Sequence, residues 1–136
     1  TRAALEQGIV PGGGIALIRA RSALDSLDLP EDEQTGVALL GRALEQPLKL
    51  ISENSGAAGD VILAECAAAE GDWGYDAEAG EFIHLMDRGI MDPTKVTRAV
   101  VESATSVGAM VMTTESLITD IKEESKAMPP APPMDY

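Results

Sequence analysis

The residues best suited to chemistry in this chain are few and far apart. Three consecutive glycines, Gly12-Gly13-Gly14, follow Pro11 and lead directly into an apolar stretch beginning at Ile15. Ordering three glycines costs conformational entropy, so such a run usually serves a close backbone approach to a neighbouring element or to a ligand. A helix that starts there presents free N–H groups and a partial positive charge, which favour an anionic or polar ligand. The run lacks the Gly-x-Gly-x-x-Gly spacing and the Gly-Lys-Ser/Thr of a phosphate loop. A tight structural turn and a ligand contact therefore both stand open. Asp92 precedes Pro93, an arrangement that reads as an N-cap followed by the first helical residue. Capping accounts for this carboxylate without any ligand, although a capping carboxylate can also accept a hydrogen bond from one. Cys66 is the single cysteine and His84 the single histidine. With no second soft ligand, a metal site at His84 is disfavoured, leaving a surface or partly buried histidine. A catalytic thiol needs a histidine partner nearby and the sequence offers only one histidine, so Cys66 reads as a small buried hydrophobe.

Composition narrows the classes further. The 136 residues fit one domain, and aromatic residues make up only 3%, so the core must be aliphatic. A net charge of −13 argues against nucleic acid and anionic membranes as partners. One cysteine forbids an internal disulfide and fits a reducing compartment. No apolar run is long enough to span a bilayer.

The positioning elements can be taken in order. Thr1 to Gln7 reads as the last two turns of a helix stopped by Gly8. Two turns are too short to be stable alone, so the expectation is a fragment whose helix begins upstream. From Gly14 to Leu27, Leu17, Ile18, Ala20, Leu24 and Leu27 form one helical stripe. Pro30-Glu31-Asp32-Glu33 opens the next helix, whose stripe of Val37, Leu40, Leu44, Leu48 and Ile51 crosses Pro47, where a kink or two abutting helices are expected. Asp60 is expected to cap a third helix that ends before Gly71. Asp72 to Asp76 reads as a short strand leading into a turn over Asp76 to Gly80, with Trp73 and Tyr75 serving either the core or a ligand. Glu81 to Asp87 is expected as a helical turn and Arg88 to Met91 as a brief extended piece. The last helix runs from Pro93 to about Thr114, with Val96, Val100, Val107 and Val111 as its inner stripe and small residues from Ser103 to Ala109, which suits the central helix of a bundle. Ser116 to Ile121 reads as a strand without a partner in the chain, open to pairing with another chain. Lys122 to Tyr136 reads as a charged, then proline-rich, disordered tail. The expected fold is mainly α, a helical bundle with a few short strands.

Four segments together resemble the group I chaperonins, the GroEL family. They are Val10-Pro11-Gly12-Gly13-Gly14-Ile15-Ala16-Leu17-Ile18-Arg19, Gly74-Tyr75-Asp76-Ala77, Gly89-Ile90-Met91-Asp92-Pro93-Thr94-Lys95-Val96-Thr97-Arg98, and Met112-Thr113-Thr114-Glu115. The likeness extends over Thr1 to Ile121 in the same order. It implies the C-terminal half of an ATP-binding equatorial domain over residues 8–121, preceded at residues 1–7 by the end of an intermediate-domain helix. It implies a parent that folds unfolded proteins in a stacked double ring, with ATP/ADP as its nucleotide and a co-chaperonin as partner, in bacterial cytoplasm or an organellar matrix. By motif, Gly12 and Gly13 would let the backbone approach the ribose, Asp92 would accept from the ribose hydroxyls, Asp76 and Ala77 would lie against the adenine, and Ile90 would form an apolar wall. The phosphate loop, with its Mg and K ions, and the carboxylate that positions the attacking water fall outside this chain, so the chain alone is expected not to hydrolyse ATP. The strand at Leu117 to Ile121 would pair with a neighbouring subunit. The chain departs from the family at Asp76, commonly Asn, because a carboxylate cannot donate to the base. It departs also in its proline-rich end, where many members carry Gly-Met repeats. The competing expectation is a non-enzymatic acidic helical module that binds a partner through Leu117 to Ile121.

Overall fold

The computed structural model describes residues 2–116 together with 118 and 119. Five helices and four short strands follow one another as α1 (Arg2–Gln7), β1 (Ile9–Pro11), α2 (Ile15–Ala20), a 3₁₀ segment (Arg21–Ser26), α3 (Glu31–Asn54), α4 (Gly59–Ala68), β2 (Trp73–Asp76), β3 (Glu81–His84), β4 (Met91–Pro93) and α5 (Thr94–Thr113). The mainly helical expectation holds. Helix α3 opens behind Pro30 with Glu31, Asp32 and Glu33 in its first turn, where carboxylates complement the helix dipole.

The core is small and aliphatic. Ile15, Ile18, Leu48, Ile62, Cys66, Tyr75 and Leu85 are its buried members, drawn from α2, α3, α4 and the β2–β3 hairpin. Cys66 is fully buried, as its apolar neighbours in the sequence suggest. Beside this core, Lys49 links α3 to α4 through Asp60 at 2.8 Å. Asp60 is therefore used in an ion pair within the first turn of α4 and does not cap it: the helix begins at Gly59 with no side-chain cap.

Several local expectations give way to tertiary contacts. The helix expected over Gly14 to Leu27 is α-helical only to Ala20 and tightens into the 3₁₀ segment, where the Ser22 and Ser26 hydroxyls donate to the carbonyls of Arg19 and Ala23. Helix α3 is one continuous helix through Pro47, not two. Glu81 to His84 is a strand and not a helical turn, paired antiparallel with β2 in the register Trp73↔His84 to Asp76↔Glu81. The pairing supplies the backbone hydrogen bonds that four isolated residues could not make for themselves as a helix. Helix α5 forms as expected, but no residue of it is buried, and Val100, Val107 and Val111 are 56%, 59% and 69% exposed. It is thus not the centre of a bundle among the described residues. It touches α1, and a groove of about 200 Å³ separates Val100, Val101 and Ala104 from Leu40, Leu44 and Pro47 of α3. The strand expected at Ser116 to Ile121 and the tail from Lys122 lie largely or wholly outside the described residues; Ser116, Ile118 and Thr119 are not in a strand.

Candidate functional site

The chain folds so that its glycine run lies between two segments sixty to eighty residues further on. Strand β1 pairs antiparallel with β4, setting Val10 opposite Asp92 and Pro11 opposite Met91. The Thr94 N–H extends this ladder to the Gly8 carbonyl at 3.1 Å. The ladder delivers Gly12 to Ile90, whose carbonyl accepts the Gly12 N–H at 3.0 Å. Gly12 is buried, and a Cβ there would lie 3.2 Å from the Ile90 backbone and side chain, so its lack of a side chain is accounted for by this contact. Gly13 turns the chain with φ +62, a left-handed conformation that other residues rarely adopt. Its Cβ direction points toward the Tyr75 carbonyl, 3.8 Å away, and the Leu85 side chain, 3.7 Å away. Gly14, with φ +84, starts α2 against the α3 backbone at Leu48.

The β2–β3 hairpin forms the other wall. Asp76 closes β2 and is buried. Its Oδ1 accepts the amides of Glu78 at 2.9 Å and Ala79 at 3.1 Å, and its carbonyl accepts Gly80 N–H at 2.8 Å. The carboxylate thus builds the turn it occupies. Both amides need only an acceptor oxygen, so an Asn at this position could close the same turn. Ala77 and Ile90 are half-buried and pack against the core. The Ile90 N–H donates to Leu85 at 2.9 Å, so the loop leaving β3 is tied down where it meets the glycines.

Asp92 differs from its expected role. It lies in extended β4, helix α5 begins two residues later at Thr94, and no side chain caps that helix. Pro93 itself is extended, with ψ 125, and pairs with Ile9 in the ladder, so it is the residue before the helix and not its first helical residue, and Asp92 stands one position too early to cap α5. Asp92 is exposed, and the ion pairs among the described residues do not include it. The structure therefore brings Gly12 and Gly13 beside Ile90 and the end of β2, with Asp92 across the ladder from Val10. Among the described residues no three His, Cys, Asp or Glu side chains gather to hold a metal ion.

Two further features support the hairpin. His84 Nδ1 lies 2.8 Å from Asp72 Oδ1, and Asp72 Oδ2 accepts the Met86 N–H at 3.2 Å. The hydrogen bond raises the His84 pKa and lowers that of Asp72. The Trp73 ring meets the His84 ring edge-on at 5.1 Å. Arg19, which is not among the apolar stripe residues of its helix, reaches inward to three main-chain carbonyls. No local sequence signal marks it, because its acceptors lie about fifty residues away and are backbone atoms. Burial pushes the Cys66 thiol up, with Arg19 opposing that shift.

The mainly helical fold with a few short strands is consistent with a fragment of a chaperonin equatorial domain. The TCP-1/cpn60 chaperonin family model matches residues 1–122, and the chain belongs to that family. Among solved structures it is similar to a group III chaperonin in the open state, at 30% identity and a TM-score of 0.78, covering 85% of this chain and 25% of that one. It is also similar in fold to the open-state monomer of a group II chaperonin from Methanococcoides burtonii, at 20% identity and a TM-score of 0.69, covering 78% of this chain and 28% of that one. The chain spans about a quarter of the length of these chaperonin structures.

Proposed function

We propose that this chain forms the part of a chaperonin subunit's equatorial domain that holds the adenosine end of ATP. The observation that carries the reading is the junction at Gly13. A left-handed glycine lies against the Tyr75 carbonyl, its neighbour Gly12 lies against Ile90, and an exposed carboxylate at Asp92 stands across the ladder. In this reading Gly12 and Gly13 admit the ribose, Asp92 accepts its hydroxyls, Ala77 and Ile90 flank the adenine, and the Asp76 carboxylate shapes the turn beneath it. The phosphates, Mg and K are held by a part of the subunit beyond this chain, which is in keeping with its quarter-length span of the relatives. The subunit assembles with others into a double ring and uses ATP hydrolysis to fold client proteins, with a co-chaperonin as partner. The motif from Gly89 to Arg98 favours group I, although the two solved relatives named above belong to groups II and III.

Calorimetric titration of ATP into the complete subunit, with and without Asp92→Ala, tests the assignment. Two hydrogen bonds from ribose hydroxyls to a charged acceptor contribute about 1.5–3 kcal/mol each, so the variant is expected to bind ATP at least tenfold more weakly. Unchanged affinity would remove Asp92 from the site. The chain alone is expected to show no ATP hydrolysis, because the phosphates dominate nucleotide recognition and catalysis.

A further inference from the structure

The strongest unassigned feature is the guanidinium of Arg19. Its Nη1 donates to the Cys66 carbonyl at 2.8 Å, its Nε to the Gly71 carbonyl at 3.0 Å and its Nη2 to the Trp73 carbonyl at 3.1 Å. All three nitrogens are thus committed to backbone, and each acceptor comes from a different place: the last turn of α4, the turn that follows it, and the first residue of β2. Carbonyls at a helix C-terminus carry partial negative charge, so a cation suits the first of these sites. Only a planar fork with several fixed donors can serve three carbonyls at once; a lysine ammonium is a point charge on a flexible stem.

The position of Arg19 gives this clamp its meaning. Helix α2 runs from the glycine run at one end to Arg19 near the other. Strand β2 runs from Trp73, which Arg19 holds, to Asp76. Along their length the two elements touch without slack: a Cβ on Gly74 would come within 2.6 Å of the Ile15 side chain and 2.7 Å of that of Leu85. At the far end Gly13 faces the Tyr75 carbonyl, one residue before Asp76. Two short elements fastened at one end and packed along the middle have a fixed separation at the other. We infer that Arg19 is a positioning residue for the nucleoside, setting the gap between Gly13 and the Asp76–Ala77 turn without touching the ligand. The inference rests on the adenosine reading above and deepens it.

The test compares two ligands in the complete subunit: magnesium ATP, which needs the nucleoside wall, and magnesium tripolyphosphate, which does not. Arg19→Ala is expected to weaken ATP by about tenfold while leaving tripolyphosphate within about twofold. Added methylguanidinium is expected to recover part of the ATP affinity of the variant and to leave the unaltered subunit unchanged. Arg19→Lys, which keeps a cation near Cys66, is expected to fall between, and it decides the question by the same ratio if Arg19→Ala does not fold. Equal loss of both ligands would mean general unfolding of the site, and no loss of either would mean that the clamp is not needed; both overturn the inference. Asp92→Ala run in parallel separates the two claims. Loss of ATP affinity in Asp92→Ala but not in the Arg19 variants leaves the nucleoside reading standing and removes Arg19 from it. No loss in Asp92→Ala removes Asp92 from the site, and no loss in any of these variants removes the reading itself.

Discussion

Gly14→Ala is the substitution whose cost can be worked most directly from the coordinates. Gly14 has φ +84, and a Cβ there would sit 2.8 Å from the Leu48 amide nitrogen and 3.1 Å from Leu48 Cα and Cβ. The left-handed conformation costs a residue with a Cβ roughly 1–2 kcal/mol. The clash is with the backbone of α3, so no rotamer change relieves it, and α2 must move away from α3 by several tenths of an ångström. Overpacking of this kind costs about 1–3 kcal/mol, giving a total of roughly 2–5 kcal/mol. Gly8→Ala isolates the first contribution, since Gly8 has φ +78 and no atom within 4 Å of its added Cβ; about 1–2 kcal/mol is expected. Gly36→Ala, in the exposed interior of α3 with open space around it, is expected to stabilise by about 0.5–1 kcal/mol. Urea unfolding followed by circular dichroism measures all three, provided the slope with denaturant is unchanged. Equal destabilisation by Gly14→Ala and Gly8→Ala would refute the claim that the α2 start is wedged against Leu48.

Other expectations follow from the same contacts. Gly74→Ala puts a Cβ within 2.6 Å of Ile15 and 2.7 Å of Leu85 in the core, and a loss of about 1–3 kcal/mol in unfolding free energy is expected. Cys66 is fully buried and its thiol is pushed up by burial, so a thiol reagent at about pH 8 should modify it only at the rate of opening, and rapidly in denaturant. The raised His84 pKa gives stability that is complete below the ordinary imidazole value and lost as pH rises through the raised one. The lowered Asp72 pKa gives stability present above the ordinary carboxylate value and lost as pH falls through the lowered one. The pair therefore holds the hairpin best between those ordinary values. Amide exchange at Met86 should be slower, relative to His84→Gln, at about pH 5.5 than at about pH 8 once intrinsic rates are divided out. An equal ratio at both values would contradict the pairing.

How much of this was legible beforehand differs by element. Helices α3, α4 and α5 declare themselves through spacing and flanking Pro or Gly, because a long helix writes its face into local sequence. The β1–β4 ladder does not, since Ile9 pairs with Pro93 across the chain and three residues carry no period. The same blindness misplaced Glu81 to His84, whose strand exists only by pairing with β2. It also made Asp92 look like a cap, when the ladder holds Pro93 extended and the helix starts only at Thr94. The burial of α5 was overestimated because an apolar stripe reports what a helix can bury and not whether its partner is present. At the site, the glycines, the hairpin turn and Asp92 were visible as types, but their convergence depends on that ladder, and the Arg19 clamp depends on carbonyls that no side-chain pattern records.

The position of adenine is the most direct test of a nucleoside site at Gly13, the hairpin turn and Asp92. Photolabelling of the complete subunit with 8-azido-ATP, followed by peptide mapping, reads that position. Label is expected on the turn from Ala77 to Gly80 or on Ile90, competed away by ATP and diminished in Asp92→Ala. Label confined to α5 or to the 3₁₀ segment, with the hairpin unmodified, would contradict it.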